Sequence, residues 1–267
     1  SEPVRYESHR AFLERFAPHG FRPQALAASY AMAENVFGVT QGGIDAPLTV
    51  DIIDREAFQV ERVARPCAEG EGALKMVSCG RPLSNTQVRI LSAEGQELPD
   101  RHVGEVALHS DCMLTGYYNR PDETDKAFRG GWYLTGDYGY LADGELYVSG
   151  RKKDLIIVGG KNIYPQDLEN LAMSVPGVHA GRVSAFGVDN PEAGTEDVVI
   201  VAEVDSEDPQ VREQIADGIR QAVTRGSAVA LRSVYLVGPQ WLVKTSSGKN
   251  ARLANRDKFL KETAEQG

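Results

Sequence analysis

Near the end of the chain, KTSSGKNAR at residues 244 to 252 sets Lys249 among small polar and glycine residues. An ammonium group there is either ordinary solvated charge or a cation that can be brought into a reaction. A second constellation lies in YLTGDYGYLADGELYVSGRKKDLIIVGGKNIYPQDLE, residues 133 to 169. Asp137 occupies a glycine-flanked turn after an aromatic strand. A carboxylate there can accept two hydrogen bonds from a vicinal diol such as ribose, or can simply cap a turn. Arg151, Lys152, Lys153 and Asp154 follow Gly150, and charge gathered at a domain junction suits a hinge whose contacts differ between two arrangements. Lys249 does not complete a phosphate loop, because GxxxxGK[ST] needs glycine at 243 and Ser or Thr at 250, where the chain has Val243 and Asn250.

The elements that must position these residues fall into two textures. Residues 8 to 19 are expected to form a short amphipathic helix, with Ser8 as its cap and Gly20 as its stop. From about 47 to 150 come short β-rich runs such as LTVDIID, TQVRIL, EVALHS and ELYVSG, separated by Gly, Asp and Asn turns. They imply a twisted sheet or small barrel. Asp143–Gly144 is expected to close a hairpin, since both residue types tolerate the positive φ of a tight turn. After Gly150 the reading is α+β: DLIIV, RVSAFGV, DVVIVAEV and LRSVYLV as strands, and YPQDLENLAM as a helix with Pro165 in its first turn. PQVREQIADGIRQAVTRG is expected to be a helix with Val211, Ile215, Ile219 and Ala222 on one face, and a last helix begins near Asn250. The domain boundary is predicted at residues 150 to 153.

Length and composition bound the functional classes. A chain of 267 residues accommodates one large domain or two ordinary ones. Hydrophobic content of 42% with 25% charged residues is the profile of a globular protein, not a fibrous or disordered one. No apolar run approaches a membrane span, the longest being strand-sized. A formal charge of -9 argues against nucleic acid as a partner, which needs a basic surface. Cys67, Cys79 and Cys112 form no CxxC pair, and the five His residues show no metal spacing. Reduced, packed thiols in a cytoplasmic setting are expected. The chain opens SEPVRYESHRAF, without a signal-like apolar core or initiator Met, so it is expected to begin inside something larger or to have been trimmed.

In register, TGD, GRKKD, GGKNIYPQDLE and KTSSGK resemble the signature of the acyl-adenylate-forming ligases, which include acyl-CoA synthetases, fatty acyl-AMP ligases and peptide-synthetase adenylation domains. The resemblance covers essentially the whole chain and implies a two-step, Mg-ATP-dependent reaction. A carboxylate is activated as acyl-AMP, and a thiol then takes the acyl group while a small C-terminal domain rotates between half-reactions. By motif position, Asp137 would hold the ribose hydroxyls, Arg151 would lie against ribose or phosphate, and Lys153 would be the hinge residue. Gly159 and Gly160 would line the pantetheine path, although a plain turn is the competing reading. Lys249 would bridge the substrate carboxylate and the α-phosphate.

SYAMAEN, residues 29 to 35, resembles the family's tyrosine motif. Tyr30 would pack on adenine, as a π-face suits a purine, and Glu34 would hold Mg²⁺, hard ligand to hard cation. Ala31 and Ala33 replace the usual Gly and Thr, and an Ala at the second position also resembles fatty acyl-AMP ligases. RFAPHGFRPQALAASYAMAE, VSCGRP and the long spacer between Glu34 and Gly80 point to that subfamily, whose extra segment favours a carrier-protein phosphopantetheine over CoA. A surface excursion without effect on the acceptor is the alternative for the spacer. Nothing upstream of Ser29 resembles the family's phosphate-gripping loop. The implied architecture is therefore a C-terminal half: residues 1 to 150 ending the large ATP- and acyl-binding domain, with a β-rich subdomain at about 80 to 150, and residues 151 to 267 forming the small mobile domain. Implied partners are a fatty or other carboxylic acid, an acyl carrier protein or CoA, and the missing N-terminal half. An acyl-CoA ligase fragment and a noncatalytic carrier- or partner-binding module are the alternatives.

Overall fold

The computed structural model describes residues 4–44 and 46–265. Residues 1–3 at the start of the expected large-domain segment, and Asp45 within the spacer, lie outside the described residues. The chain divides into two compact units, Ser1–Lys153 and Asp154–Gly267.

In the first unit, helix Tyr6–Phe16 is followed by a 3-10 turn, Ala17–His19, that ends at Gly20 with φ 85°. Ser8 is not the cap. The helix starts two residues earlier, with Arg5 at the N-cap and no side-chain cap bond, and Ser8 lies inside its first turn. The main sheet runs Glu145–Arg151, Trp132–Ala142, Gly104–Ser110 and Thr86–Leu91, with Phe128–Arg129 pairing to Trp132–Ala142. All of its pairings are antiparallel. The hairpin between its two longest-paired strands turns at Asp143 and Gly144, with φ 54° and 78°, the conformation that a two-residue turn demands. A three-stranded sheet orders Ala28–Ala31, Gly38–Gly42 and Arg81–Pro82. The spacer folds as an antiparallel ribbon of Val50–Asp54 and Ala73–Val77 with a π-helical turn, Ala57–Glu61, between them. Val39, Ile90, Val106, Leu108, Tyr133 and Leu146 pack together under these sheets.

In the second unit, Val178–Asn190 and Thr195–Val204 pair antiparallel, and Leu231–Val237 joins the latter in parallel. A parallel neighbour needs a crossover, supplied by helix Pro209–Ser227, whose first turn is capped by Asp208 accepting from the Gln210 and Val211 amides. The buried face of that helix is Ile215, Ala216, Ile219, Val223 and Ser227. Val211 is exposed and Ala222 only partly buried, because the helix meets the core along the i, i+4 row 215–219–223. Helix Pro165–Met173, with Pro165 in its first turn, buries Leu168 and Ala172, and the chain closes with helix Arg252–Ala264. No helix among the described residues is long and apolar enough to cross a membrane.

Candidate active site

The long strand Trp132–Ala142 organises the first unit's chemistry. Tyr133, Thr135 and Asp137 are all buried, on a stretch where Gly136 takes a φ of 69° and the register with strand Gly104–Ser110 shifts. Asp137 is 7% exposed. Its Oδ2 accepts a 2.5 Å hydrogen bond from the Tyr30 hydroxyl, and its Oδ1 pairs with Arg151 Nε at 2.8 Å. Arg151 stands directly across the ladder from Asp137. Burial first, then the charge and hydrogen bond of Asp137, push the Tyr30 phenol well above its ordinary pKa, so it donates rather than ionises. Tyr30, Asp137 and Arg151, chosen from three separate motifs, are thus brought into one contact chain.

Beside them, Glu105 on the neighbouring strand is also buried. Its Oε1 accepts from the Gly136 amide at 3.2 Å and its Oε2 pairs with Lys152 at 2.8 Å. Two consecutive basic residues are therefore tied to two carboxylates on adjacent strands. Lys153 is exposed and ends the first unit.

Glu34 is half-buried in the 3-10 turn Ala33–Asn35. It accepts a 3.2 Å hydrogen bond from the Tyr117 hydroxyl, which lies 3.0 Å from the Tyr133 hydroxyl. Donation from Tyr133 to Tyr117 to Glu34 satisfies all three. Burial, with the Tyr117 contact and the Glu34 charge, raises the Tyr133 pKa. Tyr117 is raised for the same first reason, with its donation to Glu34 and the Glu34 charge adding to it. Among the described residues no group of three or more His, Cys, Asp or Glu converges as a metal cage. A single carboxylate suits Mg²⁺, which keeps waters and is commonly held by one or two carboxylates plus substrate phosphates.

In the second unit, Lys249 is exposed, but its loop is not slack. Thr245 N donates to the Lys249 carbonyl at 2.8 Å, Gly248 N to the Thr245 carbonyl at 2.8 Å, and Lys249 N to Thr245 Oγ1 at 3.1 Å. Lys244 and Asn250 form a β-bridge at its base. The loop is therefore a closed turn, because Thr245 and Gly248 supply the bonds that a longer polar tail would leave to water.

That turn stands on two buried carboxylates. Glu203, 1% exposed, accepts from the Leu242 amide at 2.8 Å. Glu169, 4% exposed, takes Arg252 in a two-pronged pair at 2.7 Å through each oxygen, and also accepts from Asn250 Nδ2 at 2.9 Å. Arg252 reaches Asp154 at 2.7 Å as well. Burial alone would lower the Arg252 pKa, but the hydrogen bonds and charges of Glu169 and Asp154 reverse this and raise it. Asn255 closes the foot, accepting from Val243 N at 2.7 Å and donating to Asn250 Oδ1 at 2.9 Å.

Gly159 and Gly160 form the two-residue turn of the hairpin Ile156–Val158 and Lys161–Ile163, with φ 55° and 80°. Cys67, Cys79 and Cys112 are free thiols. Burial pushes the Cys79 thiol up to about 11. Sequence reasoning missed Glu105, Tyr117, Tyr133, Glu169, Glu203 and Arg252. The one local signal for them was a glutamate inside the apolar run VVIVAEV, since a charge there must be partnered.

The chain is similar to known proteins in both sequence and structure. Residues 1–118 match the family described as AMP-binding enzyme. A long-chain-fatty-acid–AMP ligase, FadD32 of Mycobacterium marinum, is 34% identical over 100% of this chain and 49% of its own length. JamA of Moorena producens, a medium-chain-fatty-acid–[acyl-carrier-protein] ligase, is 35% identical over 100% of this chain and 47% of its own length. A structure from structural and functional studies of fatty acyl-adenylate ligases from E. coli and L. pneumophila matches with a TM-score of 0.89 at 30% identity, covering 100% of this chain and 48% of that one. McyG A-PCP complexed with phenylalanyl-adenylate matches at TM-score 0.78 and 28% identity, over 100% of this chain and 44% of that one. The chain spans about half the length of the curated relatives it matches.

Proposed function

We propose that the chain is the C-terminal part of an ATP-dependent ligase of the AMP-binding enzyme family, which residues 1–118 match. It activates a fatty or other carboxylic acid as acyl-AMP and passes the acyl group to the phosphopantetheine thiol of a carrier protein. The observation that carries this reading is the Tyr30–Asp137–Arg151 chain, a buried carboxylate set beside an aromatic ring and a guanidinium. Tyr30 and Arg151 fix the orientation of the Asp137 carboxylate, whose oxygens are acceptors of the kind that ribose hydroxyls require.

In the first half-reaction a carboxylate oxygen of the acid bonds to the α-phosphorus of ATP, and pyrophosphate leaves with the electrons of the broken P–O bond. Lys249 offsets the negative charge that builds up between the two anions, a role worth on the order of 10²–10³ in rate for one donor. Because its turn is closed and footed on buried glutamates, delivery of Lys249 is a movement of the second unit as a body, with Lys153 as the pivot. Glu34, oriented by Tyr117, would hold Mg²⁺, which supplies charge neutralisation on the phosphates. The folded spacer ribbon and the JamA relative's named acceptor support a carrier protein. A putative acyl-CoA synthetase of Caulobacter vibrioides, 33% identical over 97% of this chain and 46% of its own length, favours CoA as the second reading.

Three measurements test the proposal. These residues alone are expected not to exchange pyrophosphate into ATP with a fatty acid, and clear exchange refutes the need for an upstream half. With that half supplied, Lys249→Ala must lose adenylate formation; unchanged exchange refutes the catalytic role of Lys249. Thioester formation with holo carrier protein against CoA then decides the acceptor.

A further inference from the structure

The turn Gly159–Gly160 caps a ribbon of only two short strands, and an isolated two-stranded hairpin is marginal in water. Its strand Ile156–Val158 needs a partner for the backbone groups that face away from the ladder. Two neighbouring side chains at the start of strand Thr195–Val204 supply it. Glu196 Oε2 accepts from Ile157 N at 2.6 Å. The Thr195 hydroxyl accepts from Gly159 N at 2.8 Å and donates to the Ile157 carbonyl at 3.0 Å. Three bonds from two consecutive residues thus replace a third strand, and one of them, from Gly159 N, grips the turn glycine itself.

Room for this clamp is built into the partner strand. A Cβ at Gly187 would stand 2.4 Å from Glu196 Oε1 and 2.9 Å from Ile156 Cγ2, so the bare glycine lets the carboxylate lie against the ribbon. The Thr195 hydroxyl must act as donor and acceptor at once, which serine can reproduce and valine cannot.

We propose that Thr195 and Glu196 are positioning residues for the thiol-acceptor half-reaction, holding the glycine turn so that a pantetheine arm can pass it. The inference rests on the reading of Gly159 and Gly160 as part of the pantetheine path. In that step the thiol sulfur bonds to the acyl carbonyl carbon, the C–O bond to AMP breaks, and AMP leaves with the electron pair as the thiol proton passes to solvent. Adenylate formation precedes this and does not require the turn, so the clamp separates the two half-reactions.

The test uses the chain supplied with its upstream half, dodecanoic acid, ATP and a holo acyl carrier protein. Thr195→Val is expected to lower the thioester-forming kcat on the order of 10-fold, since small misplacements of reacting groups have effects of this size or larger. Pyrophosphate exchange should stay within about twofold, because the clamp does not touch the groups that form the adenylate. Thr195→Ser should restore transfer. In the 267-residue chain itself, Thr195→Val should speed amide hydrogen exchange at residues 157 to 160 and leave the rest of the second unit protected. Equal loss in both half-reactions, or no loss in transfer, overturns the proposal. Gly160→Val distinguishes the underlying reading: if it blocks transfer while Thr195→Val does not, the turn matters and the clamp does not. If Gly160→Val transfers normally, the turn's role fails and the clamp's with it.

Discussion

The Asp137 cluster and the Lys249 turn arrange burial in opposite ways. In the first, the group proposed to touch substrate is itself buried, and its partners Tyr30 and Arg151 come from flanking segments. In the second, the proposed reacting group is exposed, and what is buried is its support, Glu169 and Glu203. A carboxylate that must present its oxygens in fixed directions gains from strand walls that set its geometry. A lysine that must arrive and leave cannot be walled in, so its rigidity is supplied from below. Substitution should therefore separate function from stability in the second unit and mix them in the first.

The strongest test of that contrast is Arg252→Ala. It strands Glu169 as an uncompensated buried charge, and breaking such a pair typically costs about 3–5 kcal/mol. Denaturant unfolding should show the loss in residues 154–267 while the first unit keeps its transition. Equal loss in both units would contradict the division. Next comes Lys249→Ala, expected to reduce pyrophosphate exchange in the complete enzyme by about 10²–10³ with the melting temperature unchanged. A large shift in melting would mean that Lys249 belongs to its own support.

A smaller effect is pH-dependent and confined to the first unit. Cys79 is held protonated when folded, with a pKa moved from 9.0 to about 11. A raised folded pKa contributes stability that is fully present below pH 9 and lost as pH rises to 11. Two pH units correspond to about 2–3 kcal/mol, and Cys79→Ala should flatten the alkaline fall of the first unit's stability by that amount. An unchanged slope would exclude the thiol as its source. The smallest change is Tyr117→Phe, which removes one donor to a half-buried Glu34. About 0.5–1.5 kcal/mol of stability should go with it, together with a raised Mg²⁺ requirement measured by exchange activity against metal concentration.

Much of the fold was legible because its signals are local. Asp143–Gly144 announces a positive-φ hairpin, Pro165 a helix start, and TQVRIL a strand that the structure reproduces as Thr86–Leu91. Ser8 misled because a serine before an apolar run looks like a cap whether or not the helix begins earlier. Val211 and Ala222 misled because periodicity fixes a stripe, while the row that meets the sheet depends on where the helix is laid.

The sequence by itself determined the order of elements, the residue types at Tyr30, Glu34, Asp137, Arg151 and Lys249, and the motifs that carry the family resemblance. Tertiary structure alone decided which of those groups touch and what holds them. Arg252 and Glu169 are 83 positions apart, Tyr30 and Asp137 are 107, and Glu203 and the Leu242 amide are 39. Hydrogen bonds between segments that distant follow from sheet register and helix placement, quantities set by the packing of the whole unit and not by any short stretch of it.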